Sequence, residues 1–279
     1  MFIFESKKEL ISALDEEIRL GKKIGFVPTM GALHQGHISL IKQSVSENEI
    51  TVSSIFVNPI QFNDKNDLKH YPRTLEDDLK KLEEAQCNYV FIPSVEEMYP
   101  EEITEKYYFG SLERVMEGAH RPGHFNGVAV VVKLLFDIVK PNRAYFGMKD
   151  YQQLAIIKEL VRQKNIKTEI IPCQTVREAD GLAMSSRNAL LTKEQRQSAV
   201  MLSKSLFYAR DNRKTNSVEK LKTDVRSMIE TENLLSLEYF EICNSETLQT
   251  ITNFDQCTQA VACIAVKTGN IRLIDNVLL

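Results

Sequence analysis

Apolar and polar positions along the first 175 residues fall into blocks whose period keeps changing. Residues 7–20 carry apolar side chains at helical spacing, and Ser6 with Glu9 resembles a capping box opening that helix. Residues 23–27 read as a strand entering a turn at 28–31. Helical spacing returns over 38–47. Residues 50–57 are apolar and β-rich, a pattern that predicts a buried strand. A charged amphipathic helix over 74–85 and a strand over 89–92 follow. Residues 128–139 are apolar enough for a buried helix. A strand at 144–146, a helix at 151–164 and a strand at 166–172 complete the series. This alternation predicts a parallel sheet with helices on both faces. Ligands of such sheets bind beyond the carboxyl ends of the strands.

The texture changes after about residue 176. Helices are expected near 192–212 and 217–232, then short strands near 237–243, 260–267 and 271–274. The expected fold class is α/β. A Rossmann-like doubly wound parallel sheet would occupy residues 1–175, and a smaller C-terminal α+β domain residues 176–279. No repeat or low-complexity linker marks the boundary.

Composition narrows the function classes. The 279 residues are 43% hydrophobic and 26% charged, an ordinary globular balance. The formal net charge of −3 offers no global attraction to nucleic acid or to an anionic membrane surface. An anionic substrate would therefore need a local positive site. The N-terminus, MFIFESKKEL, lacks the basic start and apolar run of a signal peptide. No stretch approaches the roughly 20 apolar residues of a membrane span. Five cysteines without CxxC spacing read as buried thiols in a reducing cytoplasm.

The common phosphate motifs are missing. There is no GxxxxGK[ST] and no GxG pair, which excludes a Walker site, the dinucleotide fingerprint and the kinase glycine loop. One segment between a strand and a helix still suits phosphate: Pro28-Thr-Met-Gly-Ala-Leu-His-Gln-Gly-His37. Gly31 and Gly36 let backbone approach a ligand. A helix starting near Gly36 would present N–H groups and its positive dipole end to an anion. His34 and His37 fall on one side of a helical turn and could donate to phosphate oxygens. Taken alone, the same spacing would fit two solvated or capping histidines, or with less support a zinc site, for which no third ligand is visible.

That segment resembles the HxGH signature of adenylyl-transfer enzymes, in the form found in the pantothenate synthetase family. Further segments follow in family order: Ser54-Ile-Phe-Val-Asn-Pro-Ile-Gln-Phe62, Tyr71-Pro-Arg-Thr-Leu-Glu-Asp-Asp78, His120-Arg-Pro-Gly-His-Phe-Asn-Gly-Val128, Phe146-Gly-Met-Lys-Asp-Tyr-Gln-Gln153 and Arg177-Glu-Ala-Asp-Gly-Leu-Ala-Met-Ser-Ser-Arg-Asn188. Another HxGH adenylyl- or cytidylyltransferase is the alternative. Asn58, Gln61 and Gln153 argue against it, as does the lack of a basic face for tRNA.

The resemblance implies ATP-dependent condensation of pantoate with β-alanine through a pantoyl-adenylate, with Mg2+ accompanying the ATP. It implies ATP contacts from Met30, Gly31, Ala32, Leu33, His34, Gln35, Gly36 and His37. Others would come from Gly147, Met148, Lys149 and Asp150, from Val176, and from Met184, Ser185, Ser186 and Arg187. His37 is cast as proton donor. His34, Lys149 and Ser185-Ser-Arg187 would neutralise phosphate charge. Gln61, Gln153 and Asn58 would hold pantoate, Arg121 an anionic group such as the β-alanine carboxylate, and Asp77 the magnesium. Met148 stands where Glu or Gln is commoner in the family. The resemblance also implies a homodimer and a C-terminal domain acting as a lid.

Overall fold

A computed structural model describes residues 1–279, the side chain of Lys65 excepted. The elements run β1 (Phe2–Phe4), α1 (Lys7–Arg19), β2 (Ile24–Thr29), α2 (Gln35–Glu47), β3 (Ile50–Ile55), α3 (Lys65–His70), α4 (Leu75–Glu84), β4 (Tyr89–Phe91), α5 (Val95–Met98), α6 (Met116–His120), α7 (His124–Val139), β5 (Arg143–Gly147), α8 (Tyr151–Gln163) and β6 (Glu169–Cys173). They continue with α9 (Lys193–Asp211), α10 (Val218–Glu230), β7 (Ser236–Asn244), β8 (Ala260–Thr268) and β9 (Ile271–Leu278).

Strands β1–β6 form one parallel sheet in the order β1-β4-β3-β2-β5-β6. The chain winds outward from β2 through β3 to β4, then restarts beside β2 with β5 and β6. The order reverses between β2 and β5, the kind of switch point at which open α/β sheets bind ligands. Strands β7, β8 and β9 form a separate antiparallel sheet in sequence order.

The chain divides into two compact units. One comprises Met1–Phe109, Arg121–Gly147 and Gln153–Gln174; the other comprises Gly110–His120, Met148–Gln152 and Thr175–Leu279. Two short segments from before residue 175 group with the second unit. Each unit has an apolar core. Val27, Ile41, Leu82, Val90 and Tyr145 fill part of the first. Leu202, Leu206, Val225, Ile229, Ile242 and Ile264 fill the second.

The elements depart from expectation at identifiable places. Ser6 starts α1 but makes no side-chain cap. The Lys7 N–H instead donates to Glu97 Oε1 at 2.8 Å, so a residue 90 positions away serves the first orphan donor. Strand β2 runs through Pro28 to Thr29, because Pro28 sits in register beside Ser54 and its ring needs no ladder donor. The turn is displaced to 30–34. Helix α7 starts four residues before the valine run. Gly123, at φ 80°, turns the chain into it.

Candidate active site

The loop after β2 is built from strained backbone held by side chains. Gly31 has φ 80° and Ala32 φ 51°. A Cβ at Gly31 would lie 3.1 Å from Asp78 Oδ2 and 3.2 Å from Ile55 Cγ2, so the position has little room for one. Ala32 does carry a Cβ, and the left-handed region costs such a residue about 1–2 kcal/mol. Fixed contacts hold it there. Ala32 N–H donates to Asp78 Oδ2 at 2.8 Å, and Leu33 N–H to Asp78 Oδ1 at 2.7 Å. Lys81 Nζ donates to the Leu33 carbonyl at 2.8 Å. Leu33 itself is buried.

Helix α2 then begins with a cap made of two imidazoles. His34 Nδ1 accepts from the Gly36 N–H at 3.1 Å, and His37 Nδ1 accepts from the His34 N–H at 3.3 Å. The rings lie 4.0 Å apart between centroids. A neutral imidazole that accepts through Nδ1 carries its proton on Nε2. Both histidines are therefore Nε2–H donors in this arrangement. The bare-amide expectation needs correcting, since two helix-start N–H groups are already spent on these rings. The imidazoles, rather than the main chain at those positions, are what the cap can offer an anion.

A second cluster in the same unit surrounds Gln61, which ends a single 3-10 turn at Pro59–Gln61. Its Oε1 accepts from Asn58 Nδ2 at 3.0 Å and its Nε2 donates to Met30 Sδ at 3.0 Å. Asn58, 1% exposed, also donates to the Gly127 carbonyl and accepts from Tyr99 Oη at 2.7 Å. Both its amide donors are engaged, so it orients Gln61 more readily than it could hold a ligand. His124 Nδ1 lies 2.8 Å from the Gln61 carbonyl, which can only accept, so that nitrogen carries the proton. His124 Nε2 then accepts from Arg121 Nη1 at 3.1 Å. Arg121 is thereby tied to the Gln61 turn. A Cβ at Gly127 would lie 2.6 Å from the Ile60 carbonyl oxygen, so α7 presses directly on this turn.

In the second unit, β9 organises the remaining candidates. Asn276 Nδ2 donates to the carbonyls of Met148 and Lys149, both at 2.8 Å. The preceding Asp275 takes a two-pronged ion pair from Arg177, at 2.6 and 3.0 Å. Arg177 also donates to the carbonyls of Gly181 and Asn276. Its guanidinium sits 5.0 Å over the Phe207 ring. Burial raises the Asp275 carboxyl above its usual range, and Arg177 opposes that shift. Around Arg177 the chain doubles back, with the Met184 N–H donating to the Val176 carbonyl at 3.0 Å. Ser185 caps the 3-10 turn Ser186–Leu190 by accepting from the Arg187 N–H. Two adjacent residues of β9 thus hold both the 148–149 turn and the hairpin that leads to Ser185.

Lys149 Nζ lies 3.8 Å from Asp150 Oδ1. Met148 is engaged through its carbonyl, so its unusual side chain leaves that anchor untouched. Gln153 is half-buried, while its neighbour Gln152 is buried. Gln152 donates to the carbonyls of Leu112 and Val115 and accepts from the Glu117 N–H. Asp77 is exposed in the first turn of α4. Asp78 fixes the loop before α2 in the first unit, and Asp275 and Asn276 fix the 148–149 turn and the hairpin in the second; the sequence pattern does not single out the last two. Only the Asp78 neighbourhood had a signal, as part of a quoted motif.

The family model for pantoate–β-alanine ligase matches residues 2–278. A pantothenate synthetase of Bacteroides fragilis is 53% identical over 277 residues, covering 99% of this chain and 98% of the relative. A crystal structure of the Thermus thermophilus pantothenate synthetase superposes with TM-score 0.94 at 40% identity, over 99% of each chain. The Francisella tularensis pantoate–β-alanine ligase, complexed with β,γ-ATP and β-alanine, gives TM-score 0.83 at 38% identity, over 100% of this chain and 97% of its own.

Proposed function

The chain belongs to the pantoate–β-alanine ligase family, and from that premise we propose how its residues condense pantoate with β-alanine using ATP. A carboxylate is a poor electrophile toward an amine, so it must first be activated. The pantoate carboxylate attacks the α-phosphorus of ATP, the bond to the β-phosphate oxygen breaks, and pyrophosphate leaves. The amine of β-alanine then attacks the acyl carbon of the pantoyl-adenylate. The acyl–phosphate bond breaks, AMP leaves, and the amine loses a proton as the amide forms.

The observation that carries this reading is the His34–His37 cap. It fixes two Nε2–H donors at the start of α2, on the loop leaving β2 at the sheet's switch point. Such donors suit charge that grows on phosphate oxygens as pyrophosphate departs. We assign proton donation to His37 Nε2 and phosphate neutralisation to His34, Lys149 and Ser185-Ser-Arg187. Loop 30–37, residues 147–150, Val176 and Met184 would contact the nucleotide. Gln61 and Gln153 would hold pantoate, with Asn58 orienting Gln61. Arg121 would face the β-alanine carboxylate.

Magnesium would arrive with the ATP, since it keeps several waters and takes phosphate oxygens with one or two carboxylates. Among the described residues no three His, Cys, Asp or Glu side chains gather as a cage, which suits an ion held mainly by the triphosphate. Asp77 is the carboxylate we assign to it, because Asp78 is spent on the loop. We further propose a cytoplasmic homodimer. The five cysteines are free thiols, as a reducing compartment would keep them. Among the described residues no helix is long and apolar enough to cross a membrane.

Incubation with ATP, magnesium, pantoate and β-alanine should yield AMP, pyrophosphate and pantothenate in equal amounts. ADP as the product, or turnover that ignores pantoate, would contradict the scheme. A second expectation concerns Gly127. In Gly127→Ala the new methyl must push the Pro59–Gln61 turn aside, and displacements near 1 Å can cost about 100-fold. The KM for pantoate should rise at least ~10-fold while that for ATP stays close to wild type. An unchanged pantoate KM would remove Gln61 from that role.

A further inference from the structure

We propose that Asp78 and Lys81 form a positioning clamp that presets the backbone ahead of His34 for nucleotide, and that adenylation depends on it. The proposal rests on the reading above, in which loop 30–37 binds ATP.

Asp78 and Lys81 lie nearly one turn apart on the same face of α4 and reach the same short stretch of chain. The Asp78 carboxylate accepts from two consecutive N–H groups, Ala32 at 2.8 Å and Leu33 at 2.7 Å, one on each oxygen. Thr74 Oγ1 adds a third donor to Oδ1 at 3.2 Å. The Lys81 ammonium takes the next polar group, the Leu33 carbonyl. Three consecutive peptide groups leading into His34 are therefore fixed by opposite charges from one helix. Asp78 is 1% exposed, and its carboxylate oxygens are directed into the protein's own backbone.

The clamp acts where the chain resists its conformation. Gly31 and Ala32 are successive left-handed residues, and Ala32 gains nothing locally from φ 51°. Charge-assisted bonds to the carboxylate are about twice as strong as neutral ones. Without them, Ala32 would relax toward ordinary φ and carry His34, whose own N–H caps onto His37, out of place.

The test is steady-state kinetics of the whole enzyme with all three substrates varied. Asp78→Asn puts an amide N–H2 against one of the two main-chain donors. The KM for ATP should rise about tenfold or more and kcat should fall, with the KM for β-alanine within about twofold of wild type. Adding Ala32→Gly to Asp78→Asn should recover about fivefold of the ATP effect, because glycine enters the left-handed region without the Cβ penalty. Lys81→Met should raise the ATP KM about threefold. A folded Asp78→Asn enzyme with wild-type ATP KM overturns the clamp. So does an equal rise in the β-alanine KM, or no recovery with Ala32→Gly. Should Asp78→Asn fail to fold, Lys81→Met decides alone, and an unchanged ATP KM overturns the proposal. Failure of the underlying ATP reading shows separately, as adenylation that survives His37→Ala.

Discussion

Replacing His37 by alanine is expected to slow pantoate-dependent exchange of pyrophosphate into ATP by about 10²–10³-fold while the protein stays folded. The exchange isolates the first half-reaction, since β-alanine is absent. Alanine removes two things at once. One is the Nδ1 acceptor that takes the His34 N–H at 3.3 Å. Losing a helix cap of this kind costs about 1 kcal/mol, too little to unfold the domain. The other is the Nε2–H donor, whose interaction, in the role proposed for it, would strengthen only as charge builds on the phosphate oxygens. Its loss is expected to account for most of the fall in rate. The two can be separated with His37→Asn, whose side-chain oxygen can take over the capping bond but which has no donor at the Nε2 position. Stability should return in His37→Asn and exchange should not. Wild-type exchange in His37→Ala would remove this ring from the reaction, and recovery in His37→Asn would reduce it to a cap.

The second large effect is on stability. Arg177→Leu is expected to destabilise the protein by about 3–5 kcal/mol near pH 7, measured by urea unfolding. The side chain of Asp275 is 0% exposed and that of Arg177 19%, so the substitution strands a charge where water cannot reach it. The effect has a definite pH sign. Burial already raises the Asp275 carboxyl above its usual range, against the opposing pull of Arg177. Without Arg177, burial is opposed by the Asn276 N–H and Lys149 alone, and the folded state holds the proton more tightly than the unfolded chain. Such a group contributes fully to stability below the unfolded carboxyl's value of about 4 and loses that contribution as pH rises through the folded value. The deficit of Arg177→Leu should therefore be smallest near about pH 4.5 and largest near about pH 7.5. Adding Asp275→Leu should restore much of the loss at the higher pH, because no charge is then left buried. Recovery would be incomplete, since Arg177 also serves the Gly181 and Asn276 carbonyls. A deficit that does not vary with pH would mean that Arg177 contributes through packing on Phe207 and its bonds to the Gly181 and Asn276 carbonyls, not through the Asp275 charge.

The parts of the molecule legible in its sequence are those governed by local pattern. The alternation of buried runs and amphipathic segments located β2, β3, β5, α2, α8, α9 and α10 to within a few residues, because the strands are short continuous apolar runs buried on both faces and the helices each bury one face at helical period. The Thr192–Gln195 capping box was readable for the same reason, both partners lying within one turn. Ser6 and Glu9 show the same pattern, yet Glu97 takes the first donor, a contact no window of sequence can contain. Strand β1 has three residues, too few for a period to register. The chemistry of the His34–His37 pair was visible as a motif, while its tautomers needed the cap geometry. Asp275 and Asn276 sit unmarked in a β-strand sequence, and their roles depend on partners roughly a hundred or more residues away.

The interleaved division of the chain limits how this protein could have been assembled. The second unit takes in Gly110–His120 and Met148–Gln152 as well as everything from Thr175 onward. Glu117, from the first of these, receives Arg272 of β9 and the hydroxyl of Tyr239. Met148 and Lys149, from the second, receive Asn276. A gene segment cut at residue 175 would therefore lack Glu117, leaving Arg272 to Glu238 and the buried Tyr239 hydroxyl without that acceptor. During synthesis the last strand must leave the ribosome before Glu117, Met148 and Lys149 find all their partners, so the second unit is completed only at the end of the chain.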